Sequence, residues 1–255
     1  MTTEDIDEAK DWLGRDVDCG SCTHHALLET GKCRLKHACV HDRYARRIDR
    51  FFAWNADLAN DYLDHPHFEV RAIAAKSADV FRLPPLLDDA DETVRWNAVR
   101  RLPSRYMLKL RNDPHREVRI RVAAFLGNAD LVAMMRDQDY YVRLMVARRI
   151  DVGFLHLMMR DQEAEVRRTV AARIASIWLA SFASDEDGSV RLEAARRMNA
   201  SQLAAIMGDK DWRVRHEVAS RAPLDLITAL ANDADPQVRE TVLCRLVVPS
   251  QESVQ

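Results

Sequence analysis

Residues 161–184 read DQEAEVRRTVAARIASIWLASFAS, and residues 185–208 read DEDGSVRLEAARRMNASQLAAIMG. Set one above the other, they share Asp at the first position, Val-Arg at the sixth and seventh, and apolar residues further on. Working outward, Val-Arg recurs at Val70, Val94, Val118, Val142, Val166, Val190, Val214 and Val238, every 24 residues without an insertion. A fixed period of this kind marks a repeat architecture in which each unit buries its apolar face against its neighbours.

Counting from each Val as position zero defines the unit. Asp stands at −5 in seven of the eight units, with His65 the exception; an acid stands at −3 in six, with His67 and His115 the exceptions. Positions 0, +4, +5 and +8 are apolar throughout, which is the stripe of an amphipathic helix and not the alternation of a strand. The acid at −3 sits where an N-cap belongs, and Pro236 follows Asp235 at the first helical position. Pro103 and Pro223, at +9, mark where the helix stops. A further apolar pair at +13 and +16, such as Leu155 and Met158, anchors a second and shorter segment. Two full helices would need about 34 residues, as in tetratricopeptide or HEAT units. The Leu-x-Leu strand of an ordinary leucine-rich repeat is missing. The expected unit is one helix of about 10–12 residues plus one tight turn of helix, α or 3₁₀. The fold class is therefore all-α, a solenoid of eight such units.

Composition agrees. Seven glycines in 255 residues are too few for a β-sandwich, a barrel or a dinucleotide fold, given a usual level of about 7%. The net charge of −2 argues against a polybasic tail and against an acidic disordered chain. No apolar run approaches the roughly 18 residues of a membrane span. The opening MTTEDIDEAKDW is acidic and lacks the apolar core of a signal peptide. A cytoplasmic protein without a membrane partner is expected.

Four of the five cysteines fall within the first 39 residues, Cys19, Cys22, Cys33 and Cys39, spaced C-x2-C-x10-C-x5-C; Cys244 stands alone. In a cytoplasmic chain such clustering reads as metal ligation before disulfides. Four thiolates close a tetrahedral zinc site or hold an iron–sulfur cluster, and spacing alone leaves both open. His24, His25, His37 and His41 interleave with the cysteines and are read as supporting or surface groups.

These four cysteines, followed by 24-residue units carrying Asp-x4-Val-Arg, resemble the leucine-rich repeat variant proteins over essentially the whole chain. The resemblance implies a small N-terminal domain binding a 4Fe–4S cluster through Cys19, Cys22, Cys33 and Cys39. It also implies α- and 3₁₀-helices alternating in a right-handed superhelix, and an association with nitrogen fixation. The expected domains are a cluster domain at 1–50, a repeat array at 51–246 and a tail at 247–255.

Arg occupies +1 in all eight units. On a helical wheel it falls between +8 and +5, at the margin of the buried stripe, so it needs a partner. The recurring Asp at −5 supplies one, and an Arg–Asp ladder between units is expected. Arg at +7, in six units, reads as solvated, salt-bridged surface, and is the better candidate for binding nucleic acid. Residues 51–255 hold 29 basic and 30 acidic side chains, however, which does not favour a polyanion. Trp96, Tyr140, Tyr141, Trp178 and Trp212 do not share one repeat position, so they form no stacking platform. No Gly-rich phosphate loop is present, and the His216-Glu217 pair lacks a second His, since Ser220 stands there. No enzyme is expected. The expected function is a 4Fe–4S repeat protein acting as a redox or sensor module that docks a protein partner. The alternative is a scaffold, capped by zinc or a cluster without redox role, that binds nucleic acid or protein.

Overall fold

The computed structural model describes residues 8–247. Of the expected tail, residues 248–255 lie outside the described residues. The chain forms two compact units that part between Leu126 and Gly127. Among the described residues every regular element is a helix, and strand pairing is limited to isolated bridges at Lys10–Asp16 and Arg34–Ala38.

The first compact unit holds the four clustered cysteines and the short helix α1 (His25–Glu29). Helix α2 (Ala45–Trp54) follows, and then the first repeats. Each repeat helix starts just after position −3, whether that residue is an acid or, as in two repeats, a histidine. Phe68–Ala74, Glu92–Val99 and Arg116–Phe125 have His67, Asp91 and His115 as N-caps. In the second compact unit Tyr140–Arg149, Ala164–Arg173, Gly188–Ala195 and Trp212–Arg221 follow Asp139, Glu163, Asp187 and Asp211. Pro236–Val247 closes the described chain. The aspartates accept from the free N–H groups of the first turn, as Asp91 does from Thr93 at 2.9 Å. Glu163 stands at the same position without capping. The helices run 7 to 12 residues, a little shorter at the lower end than expected.

At +8 the chain turns extended, with ψ near 150° at Leu126, Ile150 and Ile174. The return segment follows. Val152–Met158 and Ser176–Phe182 are 3₁₀ helices of seven residues each. In three other return segments one α-turn precedes a 3₁₀ stretch, as in Leu224–Ile227 and Thr228–Leu230. Geometry explains the choice: seven residues at about 2.0 Å rise cover roughly the 15 Å of the ten-residue helix they run back along. Leu155, Met158, Leu179 and Phe182 point inward and are buried against the helical stripe, of which Val142, Val146, Ala147 and Ile150 are fully covered.

Within each compact unit the +1 arginines form the expected ladder: Arg71 and Arg95 in the first, and Arg143, Arg167, Arg191 and Arg215 in the second, reach the −5 aspartate of the next repeat. In the first compact unit Arg95 Nε and Nη2 donate to both carboxylate oxygens of Asp113 at 2.7 Å. Its Nη1 donates to the carbonyls of Asp89 and Ala90 at 2.8 and 3.1 Å. In the second, Arg143–Asp161, Arg167–Asp185, Arg191–Asp209 and Arg215–Asp233 repeat the fork at 2.7 to 2.9 Å. Each aspartate also accepts the N–H two residues on, as Asp185 does from Asp187 at 2.9 Å.

The +7 arginines correct the sequence reading. They are not simply a solvated row. Arg221 Nη1 and Nη2 donate to the carbonyls of Ala195 and Met198 at 2.7 and 2.8 Å. Arg245 makes the same pair with Ala219 and Ala222 at 2.7 Å. Arg101 reaches Ala75 and Ala78, and Arg173 reaches Ala147 and Ile150. Each guanidinium thus closes the C-terminus of the preceding repeat helix, where carbonyls lack intrahelical donors and the helix dipole favours a cation.

Two outcomes follow from the ladder. Arg167→Met should cost about 3–5 kcal/mol in urea unfolding, because it strands the nearly covered Asp185 carboxylate, whereas Arg160→Met should stay within about 0.5 kcal/mol. Equal, small losses would contradict the buried ladder. The second concerns acid. Arg215 holds the Asp233 carboxyl below its ordinary range, and at Asp89 burial pushes upward but the bonds from Arg71 outweigh it. Groups with depressed folded pKa values contribute stability above about pH 4 that is lost as pH falls through the folded values. The thermal midpoint should therefore fall as pH drops below about 4, where the ladder carboxylates take up protons.

Candidate metal centre

The cysteine segment is held together by turns. Gly31, at φ +73°, ends α1 in the left-handed region and sends the chain back, so that the Cys33 N–H bonds the Leu27 carbonyl at 3.0 Å. A side chain there would be strained. Arg34 and Ala38 then bridge, N–H to carbonyl, at 2.9 and 2.8 Å, closing a five-residue loop with Lys36 at φ +61°. Cys33 and Cys39 flank that bridge, one on each side. The Cys33 thiol donates to the Ala38 carbonyl at 3.3 Å. Cys22 lies just before α1, and its Sγ accepts the His24 N–H at 3.4 Å.

Helix α2 is the platform beneath the loop. Asn55, buried at its C-cap, donates through Nδ2 to the Lys32 carbonyl at 2.8 Å and the Phe51 carbonyl at 2.9 Å. The Arg47 carbonyl accepts the Cys39 N–H at 3.1 Å. Arg47 Nη1 also donates to Asp42, both side chains buried, and to the Glu8 carbonyl, each at 2.8 Å. Arg50 donates to the His37 carbonyl at 2.8 Å and to its Nδ1 at 3.0 Å. Phe51 and Phe52 are buried below. The expected limit at residue 50 thus falls inside α2. Arg47 lies 24 residues before Arg71 and the 3₁₀ helix Ala56–Tyr62 follows, so the period extends one unit ahead of Val70.

The four histidines are occupied. His24 bonds the Tyr62 hydroxyl through Nε2 and packs on Phe51 at 5.4 Å between ring centroids. His25 Nδ1 meets the Cys19 carbonyl at 2.9 Å. His41 lies beside His24 at 6.3 Å. Outside the segment, His65 and His67 stand where other repeats carry acids, and Trp12 packs against both rings, at 6.4 and 5.7 Å. Their departure from the pattern docks the N-terminal segment onto the first repeat.

The thiols sense one another. Burial pushes Cys39 up to about 12, and Cys33 and Cys19 add to it. Burial raises Cys33, with Cys19 and Cys22 adding to it; burial also raises Cys19, with Cys22 second. The four sulfurs therefore share one electrostatic neighbourhood. All five cysteines are free thiols. Among the described residues no three His, Cys, Asp or Glu side chains crowd together as ligands of one ion do. A single zinc holds thiolates about 3.8 Å apart at Zn–S distances near 2.3 Å. A cluster spreads its thiolates over a larger core of several irons and uses soft sulfur ligands alone. The all-thiol set fits that group.

Exposure is uneven. Cys33 and Cys39 are 8% and 3% exposed, whereas Cys19 and Cys22 are half-buried. Cys22 borders a cleft of about 610 Å³ lined also by Asp11, Trp12, Asp18, His41 and His65. Cys244 is exposed in the last helix, in the other compact unit. No helix of the described residues is long and apolar enough to cross a membrane.

Residues 9–61 match the family described as the LRV protein FeS4 cluster. The chain is similar to a solved structure titled a leucine-rich repeat variant with a novel repetitive protein structural motif. The identity is 39%, the coverage 89% of this chain and 97% of that one, and the TM-score 0.84. It is also 53% identical over 97 residues to an uncharacterized 27.7 kDa protein in the nifB 3' region of Rhodobacter capsulatus. That match spans 38% of this chain and 40% of the relative.

Two substitutions test the platform. Cys33→Ser should remove bound iron and loosen the N-terminal segment while leaving most helical circular dichroism, because solenoid units depend chiefly on their neighbours. Asn55→Ala leaves every thiol in place but frees two carbonyls, and should lower iron affinity by roughly 10–100-fold, as lost supporting bonds do. Full iron retention in Asn55→Ala would show that α2 does not position the loop.

Proposed function

This chain belongs to the leucine-rich repeat variant family and carries its iron–sulfur cluster domain, and from that premise we propose a redox or sensor module whose repeats dock a protein partner. Cys19, Cys22, Cys33 and Cys39 are the ligands of a 4Fe–4S cluster in this reading. Bound there, the cluster would supply one-electron chemistry or sensitivity to oxidants.

The observation that carries the reading is the uneven burial of the thiols. A metal that only holds a fold together needs no side open to a reactant. Here Cys33 and Cys39 are covered by the Arg34–Ala38 loop and α2, while Cys22 borders the open cleft. The closed side excludes water and fixes two ligands. The open side leaves a path of contact for an electron carrier or a small oxidant. N–H groups such as that of His24, aimed at sulfur, are among the features that set cluster potentials. The sequence carries no Gly-rich phosphate loop and no second His beside the His216-Glu217 pair, so the chain is read as a carrier without catalysis of its own. A reducing cytoplasm suits its free thiols. The Rhodobacter capsulatus relative is described by its place beside nifB, which supports a role near nitrogen fixation.

The scaffold alternative that binds nucleic acid loses its best candidates, since the +7 arginines are engaged with carbonyls.

Anaerobically purified protein should be brown with about four irons per chain, and its cluster should reduce and reoxidise reversibly, followed by absorbance and electron paramagnetic resonance. A cluster that cannot be reduced down to about −700 mV and survives air unchanged would defeat the redox and sensor reading. One zinc and no iron would defeat the cluster itself.

A further inference from the structure

The loop that covers Cys33 and Cys39 carries charge of one sign. Residues 30–41 read TGKCRLKHACVH, with three Lys or Arg and no acid, in a chain whose totals are 38 basic and 40 acidic side chains. Lys32, Arg34 and Lys36 are exposed, and none has an ion-pair partner among the described residues. The nearest acids along the chain are engaged elsewhere: Asp42 is buried against Arg47, and Glu29 lies beside His25 at 3.9 Å. Leu35 is exposed between Arg34 and Lys36. Trp54, also exposed, packs on His37 of the same loop at 5.6 Å between ring centroids. Apolar side chains and unpaired cations thus share one small surface.

The loop is held firmly. The Arg34–Ala38 bridge closes it, and Asn55 and Arg50 donate to the Lys32 and His37 carbonyls at 2.8 Å each. Lys36 sits at φ +61°, the left-handed region that Gly adopts with less strain. Such strain gathers where a side chain is used. One peptide bond joins Arg34 to Cys33, and another joins Ala38 to Cys39, so the loop is a direct covalent route from the surface to both buried thiols. Across the same segment the charge reverses. Residues 8–18 hold four acids against two bases, and Asp11, Asp16 and Asp18 line the cleft beside Cys22. An acidic partner is therefore drawn to the loop and repelled from the cleft.

We propose that loop 32–37 is the docking surface for a small acidic protein that carries a one-electron group. The proposal rests on the redox reading of the cluster, and it concerns a partner other than the one docked by the repeats. One electron passes by way of the loop between the partner's group and the cluster, one being oxidised as the other is reduced, with no bond made or broken and no proton moved. Cys33 and Cys39 stay covered throughout, and the cleft is left to small oxidants. A surface of this size suits the task, because transient redox encounters bury less than about 1,200 Å² in total. A nucleic acid fits less well, since a protein that holds DNA through about 6–10 phosphates uses at least twice the cations this loop offers.

Calorimetric titration of the iron-loaded full chain with a plant-type 2Fe–2S ferredoxin, an acidic one-electron carrier, tests this. At about 20 mM salt a Kd of about 10–100 µM is expected, rising at least roughly 10-fold at about 0.3 M salt. Cytochrome c, a basic one-electron carrier, should show no binding up to about 300 µM. Arg34→Glu should weaken the ferredoxin complex by about 10-fold or more. Lys36→Gly suits the left-handed turn, so it removes a charge with the loop intact, and should weaken binding about 3-fold. Arg168→Glu changes net charge as much as Arg34→Glu, but at an exposed site of the second compact unit, and should have less than about a twofold effect. Variants are compared at equal iron content. Absence of binding at about 300 µM ferredoxin overturns the proposal, as do loop variants that bind like the parent chain. A single-stranded oligonucleotide that binds through the loop more tightly than the ferredoxin also overturns it. Potentiometric titration of the same samples separates the two readings. A cluster that cycles reversibly in a chain indifferent to ferredoxin leaves the redox reading standing and the proposal overturned. A loop-dependent complex whose cluster never cycles defeats the redox reading, and the electron exchange with it.

Discussion

The bidentate contact between a +1 arginine and the −5 aspartate of the next repeat is the constraint on which the array rests. A helix of ten residues or fewer has almost no stability alone, since nucleation costs more than so few bonds return. Stability has to come from packing and from whatever fixes one helix against the next. The guanidinium fork does this with directional bonds, two to a carboxylate and two to carbonyls of its own repeat. Because the aspartate also accepts the N–H at −3, the pair that joins two repeats fixes the entry of the following helix as well. One interaction thereby sets spacing, orientation and helix start together. Burial of an ion pair costs desolvation, but here nearly every donor and acceptor of the pair finds a partner.

The +7 arginines complete this from the opposite side. One row of cations ties carboxylates at helix entries, and the other ties carbonyls at helix exits. Between the rows lies the stripe of Val and Ala that allows close approach. A chain rich in arginine thus commits two rows of guanidinium groups to bonds inside its own array. Net charge would have misled a reading for polyanion binding in either direction, because it counts side chains and not their bonds.

Legibility in the sequence followed the kind of partner. Period, helix starts, the buried stripe and the +1 ladder could be read because both partners are side chains that recur together. The +7 role could not, because a backbone carbonyl leaves no letter in the sequence. A wheel does place +7 about 20° outside position zero, at the other margin of the stripe, and that was the available signal. The unit ahead of Val70 escaped for a related reason. Its position zero is Arg46, so Val-Arg fails there, and Arg47 meets Asp42 within the cysteine segment instead of an aspartate at 65. The four cysteines were plain. Asn55, Arg50 and Tyr62, which support their loop, were not, since each acts across 13 to 38 residues with a carbonyl or a ring.

The exact period has a consequence for how such a chain can change length. Arg at +1 reaches 18 residues forward, and Arg at +7 reaches 26 and 23 residues back. One residue added to a return segment would throw both reaches out of register. Twenty-four added residues would leave every donor and acceptor with its usual mate. Growth or shrinkage of the array is therefore quantised: whole modules can be copied or deleted in frame, while single-codon insertions between anchor points are penalised on two sides at once.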